Sequence, residues 1–153
     1  MGFDLYGERP KNKNGEYFRN NVWWWRPLWS YVATACNDIL TKQDLREGSF
    51  NNGHWIRATK ARALAERLTE LLQSGHARDY EKKYLAALKA LPLEQCEHCK
   101  GTGQRNDTFV KGKCNGCNGR GKKPAFETNY PFSEANVREF AQFCKDSGGF
   151  RIH

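Results

Sequence analysis

No run of apolar residues in this chain approaches the ~20 that a membrane-spanning helix needs, so no membrane association is expected. Residues 1–18 hold no apolar segment of the kind that drives secretion, and none is read as a signal peptide. Gly2 follows Met1, but Tyr6 stands where N-myristoylation needs Ser or Thr. No stretch is low in complexity, and aromatic residues make up 13% of the chain, which argues against long disordered segments. Catalytic signatures with a fixed local pattern are missing: there is no P-loop, GxGxxG, GxSxG, HExxH or DxDxDG. Asp4, Glu8, Glu16, Asp38 and Asp44 are scattered, with no pair at a meaningful spacing. His54 beside Trp55 reads as a structural polar side chain, and Cys36 as a buried thiol rather than a nucleophile. An enzyme assembled from distant positions stays open as an alternative.

What is present is a basic chain of 153 residues, one domain or one domain with an insertion, able to bury roughly 70% of its unfolded surface. The net charge of +8 is uneven: residues 1–90 carry +5, residues 91–125 carry +4 and residues 126–153 carry −1. That suffices for weak attraction to polyanions, and it serves solubility equally well. Six cysteines would make three disulfides in a secreted protein. Without an export signal, and with four of the six in two C-x-x-C pairs, a cytoplasmic, reducing location is expected instead. Cys36 and Cys144 sit among apolar residues at helical spacing and read as small buried hydrophobes.

Along the chain, residues 7–16 (GERPKNKNGE) form a polar, turn-rich surface loop. Tyr17 to Trp25 is aromatic and β-branched and reads as a strand, and Pro27 then fits the first position of a helix. Leu28, Val32, Cys36 and Ile39 continue that helix to about Leu40. Asn51-Asn52-Gly53 is a turn signal. Thr59 is placed to cap a second helix with Ala61, Leu64, Ala65, Leu68, Leu71 and Leu72 on its apolar side, stopped by Gly75. Tyr80, Tyr84, Leu85 and Leu88 mark a third helix ended by Pro92. Ser133 caps a last helix carrying Val137, Phe140, Ala141 and Cys144, which ends at Ser147-Gly148-Gly149. Phe150-Arg151-Ile152 reads as a short final strand. The expected fold is therefore α+β: a mainly helical body of about four helices with short N- and C-terminal strands, formed by residues 1–93 and 124–153, interrupted by an inserted ribbon at 94–123.

The ribbon carries the strongest chemical signal. Cys96-Glu97-His98-Cys99-Lys100-Gly101-Thr102-Gly103 and Cys114-Asn115-Gly116-Cys117-Asn118-Gly119-Arg120-Gly121 both read C-x-x-C-x-G-x-G. Each pair lets one metal bind both sulfurs, and two pairs complete a tetrahedral site, so Cys96, Cys99, Cys114 and Cys117 are the expected ligands of one structural Zn²⁺. Fourteen residues separate Cys99 from Cys114, enough for a hairpin between the knuckles. Redox dithiols of the thioredoxin kind follow a strand of a βαβ unit, and none is legible here. His98 reads as a solvent-facing spacer. Four protein sulfurs leave no open coordination position, so a structural rather than catalytic metal is expected.

These repeats resemble the cysteine-rich region of the DnaJ chaperones over residues 96–121. Two repeats rather than four imply one zinc, and the absence of a His-Pro-Asp tripeptide implies no J-domain activity. The small bacterial inhibitor anti-TRAP is similar at the zinc site, and there the ribbon serves protein–protein contact. Outside the ribbon, the segments GFDLYG, YFRNNVWWWRPLW, FNNGHWI and SGGFRI resemble small bacteriophage proteins of unassigned activity. That resemblance implies a phage accessory or host-interaction protein, acting in the host cytoplasm.

Trp23, Trp24, Trp25 and Trp29 lie within seven residues, beside Arg19 and Arg26. In a strand they cannot all enter one core face, which leaves core packing and a recognition surface as competing expectations, with Arg26 part of the latter. Three functions compete accordingly. The favoured one is a non-enzymatic zinc-ribbon protein that binds a protein partner as adaptor or inhibitor. The alternative is DNA or RNA binding through Lys111, Lys113, Arg120, Lys122 and Lys123 around the ribbon. The third is a small-ligand binder or enzyme centred on the Trp-rich segment.

Overall fold

The computed structural model describes residues 1–153, and its backbone is α+β. The residues cluster into two compact units, Met1–Leu85 with Tyr130–His153, and Ala86–Asn129.

The first unit is built on a four-stranded antiparallel sheet of order β2-β1-β8-β3: β1 is Gly2–Gly7, β2 Tyr17–Asn21, β3 His54–Ile56 and β8 Phe150–Ile152. The period-2 alternation puts Phe3, Leu5, Phe18, Ile56, Phe150 and Ile152 on the inward face, where all are buried. Only two strands were expected, so β1 and β3 are additions. β1 pairs along five residues with β2, and distant pairing joins both additions to β8: Leu5 lies opposite Ile152 and Ile56 opposite Phe150. The two central strands come from opposite ends of the sequence.

Five helices complete the backbone: α1 Val22–Ala35, α2 Lys42–Glu47, α3 Ala58–Gln73, α4 His76–Ala90, within which the boundary between the two units falls, and α5 Glu134–Asp146. The expected strand from Tyr17 to Trp25 stops at Asn21, and Val22 onward is helical. The cause is the Asn21 side chain, which accepts the N–H of Trp24 at 3.2 Å and caps the helix. Helical winding then sends Trp25, Leu28, Trp29, Val32 and Cys36 to one side, at spacings of three and four residues, and all are buried. This burial outweighs the strand preference of aromatic residues. Pro27 consequently sits inside α1 and not at its first position. The helix ends at Ala35 rather than near Leu40, and the Arg67 guanidinium closes it, donating to the Ala35 carbonyl at 2.7 Å and to both Asp38 carboxylate oxygens at 2.9 Å.

α3 starts one residue before Thr59, with Arg57 at the capping position and no side-chain cap. The expected Thr59 cap is corrected, since Thr59 already lies within the first turn of the helix. α2 is a further addition, held by a reciprocal box in which Thr41 Oγ1 accepts the Asp44 N–H and the Asp44 carboxylate accepts the Thr41 N–H. Ser133 caps α5 as expected. In the core, Trp25 stacks between Phe3 and Trp29 with centroids 5.3 and 5.4 Å away, and Phe140 meets it edge-on at 5.7 Å. Cys36 and Cys144 are buried thiols, and burial pushes the Cys36 thiol up to about 11.

Candidate metal centre

The second unit, Ala86–Asn129, contains two small antiparallel ribbons. β4 (Glu94–Gln95) pairs with β7 (Lys122–Lys123), and β5 (Gln104–Asn106) pairs with β6 (Lys111–Lys113). β4 leads into the first cysteine knuckle and β5 leaves it, while β6 leads into the second and β7 leaves it. The pairing therefore crosses the repeats, and the two knuckles face each other with matched geometry.

The backbone repeats with the sequence. Lys100 and Asn118, the residues after Cys99 and Cys117, have φ of 52° and 50°, and the glycines that follow, Gly101 and Gly119, have φ of 86° and 75°. A tight left-handed turn of this kind points backbone N–H groups at the sulfurs. The N–H of Gly103 donates to Cys99 Sγ and the N–H of Gly121 donates to Cys117 Sγ, both at 3.2 Å. The knuckles also interlock. A Cβ on Gly103 would lie 2.4 Å from the Gly119 carbonyl oxygen, and one on Gly121 would lie 2.3 Å from that of Gly101. The N–H of Cys96 donates to the Gly121 carbonyl, and that of Cys114 to the Gly103 carbonyl, both at 2.9 Å.

These constraints bring the four sulfurs within 4.8 Å of one another, all four residues being buried. Cys96 Sγ lies 3.9 Å from Cys114 Sγ, and Cys99 Sγ lies 3.7 Å from Cys117 Sγ. A tetrahedron with metal–sulfur bonds of about 2.3 Å has sulfurs about 3.8 Å apart, and the cluster has that size. No pair is at disulfide distance, and all six cysteines are free. Burial opposes ionisation at Cys99, but the N–H groups of Gly103 and Gly101 and the adjacent sulfurs outweigh it and hold the thiol down to about 6. Burial pushes Cys114 up to about 11. Such a cluster gives up its protons stepwise, and a cation among the sulfurs replaces them. The donor set fits a metal ion that prefers soft tetrahedral ligands, and the ion would neutralise the thiolates and join the two knuckles.

The four sulfur-bearing side chains also form a buried cluster of their own, separate from the core of the first unit, and no aliphatic or aromatic residue joins them. Leu93, Phe109 and Phe126 of the same unit are exposed, at 61%, 90% and 56%. His98 is outside the sulfur group and exposed, its ring lying against Gly116.

The basic candidates divide between the ribbons. Lys111 and Lys113 are exposed on β6, Lys122 and Lys123 lie on β7, and Lys123 reaches Glu97 at 3.3 Å. Arg120 is exposed and donates back to the Cys117 carbonyl. No single face is assigned to all five. The tryptophans divide as well. Trp25 and Trp29 are core rings, 0% and 3% exposed, with indole N–H groups donating to the Gly48 and Leu45 carbonyls. Of the two competing expectations, core packing holds for Trp25 and Trp29, which the helical turn buries, and both are corrected as candidate recognition residues. Trp24 is 38% exposed, Arg26 is exposed, and Trp23 packs on Tyr130 at 4.8 Å. Arg26 also borders a cleft of about 490 Å³ with Trp25, Trp29, Ser30, Leu45 and Phe50.

Two features carry no signal in the sequence reading above. Phe109 stands at the tip of the β5–β6 hairpin. Asp107 Oδ1 accepts the N–H groups of both Phe109 and Val110 at 2.9 Å, and Arg105 braces Asp107 at 2.6 Å. The second is a buried carboxylate, Asp44, which His54 meets at 2.9 Å and Lys60 meets through an ion pair. The Thr-x-x-Asp spacing of Thr41 and Asp44 is the capping signature that marks α2. No helix is long and apolar enough to cross a membrane. No protein-family model matches the chain, and neither does any curated protein or solved structure.

Proposed function

We propose that this chain is a non-enzymatic zinc-ribbon binding protein, an adaptor or inhibitor that docks on a protein partner. One structural Zn²⁺ held by Cys96, Cys99, Cys114 and Cys117 organises the ribbon, which we read as DnaJ-like at the level of its C-x-x-C-x-G-x-G repeats. The phage accessory role in the host cytoplasm rests on the resemblance of GFDLYG, YFRNNVWWWRPLW, FNNGHWI and SGGFRI to small bacteriophage proteins.

The observation that carries this reading is Phe109, a large aromatic ring 90% exposed on a tip braced by three side-chain hydrogen bonds. Exposed apolar side chains on a rigid support are what a partner's pocket buries, and ordering such a tip beforehand lowers the entropic cost of docking. Four sulfurs around one metal supply cohesion and leave no position for a substrate.

The test is affinity capture of interacting proteins with the zinc-loaded chain, Phe109→Ala and the metal-stripped chain, followed by reconstitution with the purified partner. A partner that binds the native chain and is lost by both altered forms is the expected outcome. A partner set unaffected by Phe109→Ala and by metal removal would overturn the reading. The alternative, phosphate contact through Lys111, Lys113, Arg120, Lys122 and Lys123, is supported by the exposure of four of them.

A further inference from the structure

The outward face of the four-stranded sheet holds an arrangement that the ribbon does not involve. With Phe3, Leu5, Phe18, Phe150, Ile152 and Ile56 pointing inward, the alternate residues point away from the core. Tyr6 lies opposite Tyr17 on one side and Arg151 on the other, and Arg151 lies opposite Trp55. Tyr17, Tyr6, Arg151 and Trp55 thus form one row straight across all four strands. Tyr6 is 51% exposed, Tyr17 45% and Trp55 38%.

The row is planar chemistry throughout. The Tyr6 and Tyr17 rings are 5.2 Å apart, and His153 meets the edge of Tyr6 at 5.8 Å. The guanidinium carbons of Arg57 and Arg151 lie 4.4 and 5.0 Å from the centre of the Trp55 ring. With strands about 4.8 Å apart, Tyr6 and Trp55 stand about 10 Å apart with Arg151 between them. Cross-strand pairing accounts for the contact of Tyr6 with Tyr17. It does not account for three large rings in one exposed row, since small polar residues satisfy a solvent-facing strand at no apolar cost.

The charge has the sign that phosphates need. The face presents Arg19 and Arg57, both exposed, and the half-buried Arg151, and the loop between β1 and β2 adds the exposed Arg9, Lys11 and Lys13. Against these six stand three carboxylates. Asp4 is engaged by the Tyr17 hydroxyl and by Arg19, Glu8 is engaged by Arg151 at 2.6 Å, and Glu16 lies at the end of the loop. A flat aromatic row with arginines in and beside it suits a ligand that alternates planar rings with negative charge. Bases in a duplex are already stacked on one another, so the ligand is single-stranded.

We propose that the outward face of the β2-β1-β8-β3 sheet binds single-stranded nucleic acid, its bases stacking on Tyr17, Tyr6 and Trp55 and its phosphates held by Arg19, Arg57 and Arg151. Stacking of this kind reads no particular sequence, because every base offers a ring face. This site is distinct from the ribbon lysines, and it stands whether or not the ribbon docks on a protein.

The experiment is a fluorescence-anisotropy titration of the full, metal-loaded chain against a labelled oligothymidylate, a labelled oligouridylate and a duplex of equal length, at low and raised salt. Single strands should bind, weaken as salt rises, and bind more tightly than the duplex. Trp55→Ala and Tyr6→Ala should each weaken binding by about tenfold, with Trp55→Phe retaining most of it. Loss of binding in the double change Lys122→Ala and Lys123→Ala, with full binding kept in Trp55→Ala, would assign the phosphates to the ribbon lysines and overturn the proposal. Circular dichroism and metal content, unchanged in every variant, establish that the fold is intact. Failure to bind single strands at low salt, equal affinity for the duplex, or full affinity in Trp55→Ala and Tyr6→Ala would each overturn the proposal.

Discussion

Cys96 donates its main-chain N–H to the carbonyl of Gly121 at 2.9 Å, so the first cysteine of the first knuckle is positioned by the last glycine of the second. Cys114 and Gly103 repeat the relation in the opposite direction. Neither knuckle is complete without the other, and that mutual dependence is what the first prediction tests.

Gly103→Ala and Gly121→Ala should each weaken metal binding by about tenfold or more, and to a similar extent. Both glycines have φ near 75°, which strains any other residue by about 1–3 kcal/mol, and both back onto a carbonyl with no room for a Cβ. Competition with a chromophoric chelator measures the affinities. A large loss at one glycine and none at the other would contradict the matched geometry.

Cys96→Ser or Cys117→Ser, or stripping of the metal by a chelator, should unfold residues 86–129 while the helical signal of the other unit persists. Structural zinc sites supply about 10–16 kcal/mol of apparent binding free energy, far more than the exposed side chains of this ribbon can replace. Amide exchange resolved by residue reads both units in one experiment. Survival of ordered structure in 94–123 without metal would refute it.

Asp44→Asn should destabilise the first unit by about 3 kcal/mol at neutral pH, since the carboxylate is 3% exposed and pairs with Lys60 and His54. Burial works against its charged form, but Lys60, the Thr41 N–H and His54 outweigh burial and hold the carboxyl well below the usual carboxylate range. A depressed folded-state value means that the stability it contributes is fully present above the unfolded value of about 3.9 and is lost as pH falls through the folded one. Urea unfolding at a series of pH values should therefore show the gap between native and variant constant near neutrality and narrowing below about pH 5.

Trp25→Ala should cost about 3–5 kcal/mol, whereas Trp24→Ala should change stability by no more than about 0.5 kcal/mol. Two residues adjacent in sequence differ this much because Trp25 is 0% exposed between Phe3 and Trp29, while Trp24 is 38% exposed. Chemical denaturation of the two variants separates them directly.

The candidate metal centre is the most legible part of the sequence, because bond lengths and tetrahedral angles dictate the spacing of cysteines that could share one metal. The C-x-x-C-x-G-x-G repeats name the four cysteines and the left-handed glycines together. The start and end of α5 and the strand at Phe150 are also written locally, in the Ser133 cap and the Gly148-Gly149 stop. The Trp-rich segment misleads because its residue types favour strands while one polar side chain, Asn21, starts a helix. β3 is not legible, since a strand of three residues pairs only with β8, more than 90 residues away, and β1, although it pairs with the nearby β2, takes its central place in the sheet from the same distant strand. The exposed row of Tyr17, Tyr6, Arg151 and Trp55 is invisible in sequence for the same reason: its members become neighbours only through sheet register.

The pairing of β1 with β8 also sets an order of events during synthesis. The sheet cannot close until residues 150–152 have left the ribosome, whereas residues 86–129 form a continuous stretch within which both ribbon pairings close. The cysteine knuckles are therefore exposed to the cell's metal supply while the rest of the chain is still waiting for its last strand. Metal capture by ribosome-bound chains that carry residues 1–129 followed by a flexible linker long enough to fill the exit tunnel would show that order, and a cell short of metal would meet a chain with loose thiols before it met a finished fold.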